Sequence, residues 1–305
     1  MGNIDVSVVI PVKNGERYLD SALKAVFSQK TNFRFEVIIV DSGSTDRTGD
    51  IIKKYPAVKL HKVNERDFNH GLTRNFGISN AGGRYVILMT QDAVPCGKNW
   101  MDALIGDIER DSCVAGVYSR QIPHPGAKAF GRLKTSMFFA SGEEKRISHI
   151  DNLERYNGLP PQEKRRFCSF DNVSSCIRKS VWEAFKFSNS DFGEDIEWAK
   201  RVLEAGYKIV YEPDSAVYHS HDYSIAEWYK RNREDCGKLY SLFGLNEVST
   251  GYKVLPFIFI YMFLDFCGLV RLYKYTKDIK TVLSVVPLIP VYAFAGAFGR
   301  YMGTR

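Results

Sequence analysis

The segment 35-FEVIIVDSGSTDRTGDIIKKY-55 decides the fold. Its opening run, FEVIIV, is largely apolar and β-branched, the pattern of a strand buried on both faces. The polar, Gly-containing turn DSGSTD follows, and 47-RTGDIIKKY-55 then carries helical periodicity. The same unit recurs on either side. Val6 to Val12 (VSVVIPV) runs through PVKNG into the helix-like 16-ERYLDSALKAVFSQ-29. Val58 to His61 precedes 70-HGLTRNFGISN-80, which leads to Tyr85 to Met89 (YVILM) and then TQDA. Alternating strands and helices predict a mostly parallel central sheet flanked by helices, an α/β fold. In such sheets ligands bind beyond the carboxyl ends of the strands. PVKNG, DSGSTD and TQDA therefore form the edge at which a site belongs.

Beyond this repeat the pattern loosens from about 120 to 165, with Pro123, Pro125, Pro160 and Pro161 and a charged patch at Glu143 to Arg146, a region expected to be mobile or acceptor-facing. Order returns in 167-FCSFDNVSSCIRKSVWEAF-185 and in the helical 194-EDIEWAKRVLEAG-206, where Gly206 is a stop before the strand 207-YKIVY-211. The carboxyl end is different. Residues 254–270 (VLPFIFIYMFLDFCGLV) are apolar apart from Asp265, and 282–298 (VLSVVPLIPVYAFAGAF) are interrupted by Pro287 and Pro290. Both fall short of the roughly 20 apolar residues that a spanning helix needs. The basic, aromatic 271-RLYKYTKDIK-280 between them suits a lipid headgroup region, so interfacial helices or a packed helical appendage are expected.

At 305 residues, 45% hydrophobic and 25% charged, the chain is globular and long enough for one large α/β domain with an appendage. Of its formal net charge of +7, residues 251–305 supply +5, from seven Lys or Arg against two Asp. Six scattered cysteines without a CxxC pair read as reduced thiols, and MGNIDVSVVIPVKNG has no basic stretch ahead of an apolar one, so a cytoplasmic protein is expected.

Five groups of residues could carry chemistry. Asp41 ends a buried strand, where its carboxylate can accept a hydrogen bond from a pyrimidine ring N–H or cap the turn, with Ser44 and Asp46 as competing caps for the next helix. Asp92, aligned with Asp41 on the same sheet edge, can hold Mg2+ or Mn2+ against two phosphates or serve a turn. Glu194 and Asp195 open a helix, a placement favoured by the macrodipole alone and also suited to a general base. His219 and His221 are two apart after a strand-like run, so both can face one way and ligate a metal. Arg74 can pair with a diphosphate or lie on a solvated helix face, and Trp182 and Trp198 can be core residues or an acceptor platform.

In their order and spacing, VSVVIPVKNGERYL, IIVDSGSTDRT, FNHGLTRNFG, TQDA and FGEDIEWAKRVLEAGYKIVYEP followed by HSHDYS resemble family 2 inverting glycosyltransferases over residues 5 to 225, and within them the bacterial rhamnosyltransferase-like branch. The resemblance implies a GT-A fold. The catalytic domain would span 1–225, with 1–119 holding the nucleotide sugar and 120–225 the acceptor, and 226–305 would associate with membrane or with a second copy. It implies Pro11, Val12, Asn14, Asp41, Ser42, Arg74, Gln91 and Asp92 on the donor, Asn172 and Trp198 on the acceptor, and Asp195, aided by Glu194, as base. Asp92 and His219 would bind a divalent metal, Mg2+ or Mn2+, with His221 a lesser ligand. Gln91 departs from the two-aspartate form of the metal motif, which puts tight metal binding in doubt.

The implied activity is transfer of L-rhamnose from dTDP-β-L-rhamnose to a saccharide, in O-antigen or similar polysaccharide synthesis. The basic, apolar carboxyl end suggests a polyprenyl-diphosphate-linked acceptor at the inner face of the cell membrane. A UDP-hexose donor is the nearest alternative. A sugar nucleotidyltransferase shares the sheet-edge logic, whereas a dehydrogenase lacks its GxGxxG and a P-loop enzyme its GxxxxGK[ST]. A non-catalytic membrane adaptor would make the basic tail its working part. No RNP pattern is present, so no nucleic-acid partner is expected.

Overall fold

The computed structural model describes residues 4–190 and 192–305. Among the described residues nine strands are formed: β1 Val6–Val12, β2 Phe35–Asp41, β3 Val58–Lys62, β4 Tyr85–Met89, β5 Val94–Cys96, β6 Val114–Ile122, β7 Arg146–His149, β8 Ser174–Arg178 and β9 Lys208–Tyr218. The helices are α1 Leu19–Phe27, α2 Thr48–Lys53, α3 His70–Ser79, α4 Trp100–Arg110, α5 Ala129–Ser136, α6 Leu153–Asn157, α7 Pro161–Phe167, α8 Lys179–Ala184, α9 Glu194–Glu204, α10 Ile225–Phe243, α11 Val254–Thr276, α12 Ile279–Val285 and α13 Ile289–Gly303. The strands form one sheet in the order β3-β2-β1-β4-β8-β6-β9-β5, with β7 on β9.

The sheet is mixed, and in this it differs from the mostly parallel sheet expected. β3, β2, β1 and β4 run parallel, whereas β8 pairs antiparallel with β4 and β6, and β9 antiparallel with β5 and β7. The parallel half is built from strand-helix-strand crossovers, whose alternation shows in sequence. The antiparallel half hides its strands behind polar residues. Ser119, Ser174 and Ser215 lie on β6, β8 and β9, buried and joined in a chain of hydroxyl hydrogen bonds of 2.8 and 2.9 Å, with the Trp100 indole N–H donating to Ser174.

The core follows the period-two alternation of strands. Val6, Val8, Ile10 and Val12 of β1 join Leu19, Leu23 and Val26 of α1 and Leu104, Ile105 and Ile108 of α4 in one cluster. β3 is the exception to burial on both faces. It is an edge strand whose Lys59, Leu60 and Lys62 are exposed, and lysines there discourage pairing with another chain.

The chain divides into two compact units. One comprises residues 1–121, 142–158 and 167–219 and holds the sheet; the other comprises 122–141, 159–166 and 220–305 and is helical. Residues 120–165 thus supply both units and hold α5, β7, α6 and α7, more regular structure than their prolines suggest. In the helical unit Phe130 and Leu133 of α5 pack with Leu272, Val282, Val285 and Ile289, and Lys134 is paired with Asp265.

The expectation that the apolar carboxyl segments are too short to span a bilayer is corrected. Helical structure runs from Gly251 to Thr276, 26 residues, and from Ile279 to Gly303, 25 residues, each long and apolar enough to cross a membrane by length and composition. The first gains length because Arg271 to Thr276 continue the helix. The second gains it because Pro287 and Pro290 sit at the first turns of a 3-10 segment and of α13, where a missing N–H costs nothing.

Candidate active site

The carboxyl edge of the parallel strands is locked by side chains from its own loops. In register, Val12 lies opposite Asp41 and Pro11 opposite Val40. Asp41 is buried, and its Oδ1 accepts from the Ser44 N–H at 3.0 Å and the Ser44 hydroxyl at 2.6 Å, so it shapes the DSGSTD turn as well as facing the cavity beside it. Asp46 serves α2, accepting from the Thr48 N–H at 3.0 Å. Ser42 is fully buried and donates to the Val12 carbonyl. Asn14, at a left-handed φ of 52°, accepts from the Thr45 N–H at 2.9 Å, while its own N–H donates to Ser44. A cavity of about 670 Å3 opens here, lined by Asp41, Ser44, Asn64, Leu72, Thr73 and Phe76 among others.

Gln91 explains the departure from a two-aspartate motif. Its Oε1 accepts from the Lys13 N–H at 2.8 Å and its Nε2 donates to the Lys13 carbonyl at 2.9 Å, fastening TQDA to the loop after β1. A carboxylate could accept from the N–H but could not donate to the carbonyl. Only an amide makes both bonds, and Asp92 is left as the acidic residue of the motif.

Asp92 approaches His219 at the end of the sheet-bearing unit, Oδ2 to Nε2 at 3.7 Å. That is too long for a hydrogen bond. The two atoms are close enough that they could be ligands of one ion. The donor set, one carboxylate and one imidazole, fits a divalent metal. His219 Nδ1 faces the Gln121 Oε1 at 2.8 Å, and Gln121 Nε2 donates to Asp171 at 2.8 Å. His221 is exposed, two residues further along in the helical unit.

The third group lies at the start of α9. Asp195 is half-buried in its first turn, with Oδ1 accepting from the Ile196 N–H at 2.8 Å. Burial, with the carboxylates of Glu194 and Asp171 close by, pushes its pKa up to about 7. Glu194 is buried and paired with the equally buried Arg74, Oε1 to Nη1 at 2.8 Å. Arg74 is held by α3, where the Asn69 side chain caps the helix by accepting from the Leu72 N–H. Gly71 is required beside it, because a Cβ there would stand 1.9 Å from the Ser188 carbonyl oxygen.

Three of the residues singled out in the sequence lie inside the fold. Arg74 turns inward to Glu194 and to the His70 carbonyl, neither on a solvated face nor free for a diphosphate. Asn172 is 1% exposed, its amide N–H donating to Glu194 and its side-chain carbonyl accepting from Ser175, so it braces Glu194. Trp198 is fully buried against Phe170 and Phe187, its indole N–H donating to the Phe185 carbonyl, a core residue with no free face. Gln121 and Asp171 were missed. Their signal is contact across the sheet, which no local motif displays.

Comparison with known proteins identifies the family and the fold. The family described as glycosyl transferase family 2 matches residues 7–177. The O-antigen chain rhamnosyltransferase WbaN of Salmonella anatum is 30% identical over 228 residues, covering 74% of this chain and 69% of that protein. RfbN of Salmonella typhimurium, of the same description, is 28% identical over 230 residues with the same coverage. Among solved structures, the mannosyltransferase PcManGT of Pyrobaculum calidifontis, in complex with GDP-Man and Mn2+, has a TM-score of 0.58 at 14% identity, covering 98% of this chain and 88% of that one. The glucosyl-3-phosphoglycerate synthase of Mycobacterium tuberculosis, in complex with Mn2+, UDP and product, has a TM-score of 0.57 at 17% identity, covering 82% and 83%. The fold is therefore GT-A, and the chain belongs to glycosyl transferase family 2 and is a glycosyltransferase.

Proposed function

We propose that this glycosyltransferase inverts configuration and transfers L-rhamnose from dTDP-β-L-rhamnose to a lipid-linked saccharide. The donor assignment is supported by similarity to two O-antigen chain rhamnosyltransferases over three quarters of the chain. For the chemistry, the carrying observation is Asp195, a half-buried carboxylate whose proton affinity is raised into the range of a working base.

In this reading the nucleobase occupies the cavity beside Asp41, and the loop after β1, with Pro11, Val12 and Asn14, and Ser42 belong to the donor side by the resemblance rather than as lining of that cavity. Asp41 and Asp92 follow strands β2 and β4, separated by one strand, so roughly 10 Å of sheet lies between them, the order of the span from a nucleobase to its phosphates. Asp92 and His219 would hold the divalent ion, with His221 within reach along the chain, and the mixed nitrogen and oxygen donors favour Mn2+ over Mg2+. When bound, that ion would neutralise charge on the diphosphate. Asp195 takes the proton of the acceptor hydroxyl as its oxygen bonds to the anomeric carbon. The bond from that carbon to the phosphate oxygen breaks with its electron pair leaving on dTDP, and the β-linked donor gives an α-glycoside. Arg74 and Asn172 act through Glu194, which they hold beside Asp195.

The lipid-linked acceptor is supported by the carboxyl end. Along α11, Leu255, Phe259, Phe263, Phe266 and Val270 are exposed at helical spacing, flanked by Lys274, Lys277 and Lys280. Such a stripe with a basic flank suits the anionic inner leaflet. The functional division is accordingly a catalytic 1–225, with donor half 1–119 and acceptor half 120–225, and a membrane-associating 226–305.

The test is a donor screen on the full chain with dTDP-, UDP- and GDP-sugars, with and without Mn2+, reading release of nucleoside diphosphate. Mn2+-dependent turnover of dTDP-rhamnose above all others is expected. Preference for a UDP-hexose would overturn the donor assignment.

A further inference from the structure

We infer that Gln121 is a positioning residue that fixes the tautomer of His219, keeping the imidazole Nε2 lone pair aimed at Asp92 and available to a divalent ion. The inference rests on the reading of Asp92 and His219 as metal ligands.

The orientation of the Gln121 amide follows from its neighbours. Gln121, at the end of β6, is buried, and so is His219, just after β9. On one side of the amide stands Asp171, whose Oδ1 already accepts from the Val173 N–H at 2.8 Å and whose Oδ2 lies 2.8 Å from Gln121 Nε2. A carboxylate accepting through both oxygens needs a donor here, so the NH2 end of Gln121 faces Asp171. The carbonyl end then faces His219 Nδ1 at 2.8 Å. A carbonyl oxygen only accepts, so Nδ1 carries the hydrogen. In the neutral ring Nε2 is left without one, and Nε2 is the nitrogen 3.7 Å from Asp92. The opposite tautomer would need the amide reversed, setting its carbonyl against the Asp171 carboxylate in a buried place.

The arrangement is a relay of position, Asp171 to Gln121 to His219, with Asp171 beside Asp195. Histidine ligands to metals commonly have their second nitrogen held by an outer partner, and loss of that partner typically weakens metal binding about 10- to 100-fold. Here the partner is an amide whose direction is set by a carboxylate one step further out.

The test uses the full chain labelled with 15N-histidine, without metal, at about pH 8, where a histidine of ordinary pKa is neutral. Nitrogen NMR of wild type is expected to show His219 protonated on Nδ1. Gln121→Met, close in shape but with neither hydrogen bond, is expected to lose that preference and to bind Mn2+ about 10- to 100-fold more weakly by electron paramagnetic resonance titration. Gln121→Glu, with a proton on the oxygen that faces Asp171 and an acceptor oxygen opposite Nδ1, can make both hydrogen bonds and should retain part of the affinity that Gln121→Met loses. A wild-type His219 protonated on Nε2 overturns the inference even where a variant fails to fold, and so do equal losses in the two variants. Absence of Mn2+ binding to wild type, with Nδ1 protonated, would instead overturn the metal-site reading.

Discussion

The sheet-bearing unit and helix α11 invert the usual arrangement of side chains in opposite senses. Around α9 charged groups are inside: Arg74 and Glu194 each expose 6% of their side chains. Along α11 apolar groups are outside, with Phe259 and Phe263 exposed by 62% and 67%. Each inversion costs free energy in water and is stable only with a partner. Glu194 has Arg74 within the same unit. The stripe of α11 finds its partner, in our reading, in lipid. Composition marks α11 as apolar but not which of its residues lie outside; what each residue faces shows both inversions.

The comparison breaks most sharply at Asp195. Asp195→Asn removes the base while keeping shape, and turnover is expected to fall about 10^2- to 10^4-fold with no loss of melting temperature. A wild-type rate would remove Asp195 from the chemistry. Next comes the pair beneath it. Arg74→Met leaves Glu194 buried without a counter-charge and is expected to cost about 3–5 kcal/mol in urea unfolding. Adding Glu194→Gln should recover most of that loss, and failure to recover would mean that packing, not charge, sets the cost.

On the other side of the comparison, replacing both Phe259 and Phe263 by Asn withdraws two large apolar side chains from lipid, each worth about 1.5–3 kcal/mol. Flotation with anionic vesicles should show partitioning reduced at least about tenfold, with turnover of a water-soluble acceptor unchanged. Equal flotation would separate α11 from membrane binding. The smallest effect is one of pH. Asp195 in the fold titrates near 7, above its unfolded value of 3.8, because burial and the neighbouring carboxylates disfavour its charge. As a base it must be ionised, so the rate should climb through about pH 7 and level above it. Its contribution to stability has the opposite slope, complete below its unfolded value and lost as pH rises through about 7. Asp195→Asn should therefore gain stability relative to wild type as pH rises from about 4 to about 7 in thermal melts.

Much of the parallel half was legible. The runs at Val6, Phe35 and Tyr85 are strands over nearly the residues read, and Gly206, at φ 87°, ends the ordered stretch after α9 as expected. Of the antiparallel half only the start of β9 was legible, as 207-YKIVY-211; β6 and β8 were not, because they bury serines whose hydroxyls satisfy one another, and a buried hydroxyl reads in sequence as a loop. The apolar carboxyl segments were read too short because a continuing Arg271 and two prolines look like ends, whereas a helix tolerates a charge at its rim and a proline in its first turn. Gln91 looked like a defect in a metal motif and is a bidentate clamp on Lys13.

By itself the sequence determined the strand-turn-helix repeat, the placing of Asp41 and Asp92 after their strands, and the acidic start of α9, because periodicity and strand ends are local properties of a chain. Only the tertiary structure decided what those residues face. It turned Arg74 from a surface to Glu194, raised the pKa of Asp195, and set Gln121 between Asp171 and His219. Those outcomes depend on groups far apart in the chain whose interaction strengthens only when folding removes the water between them.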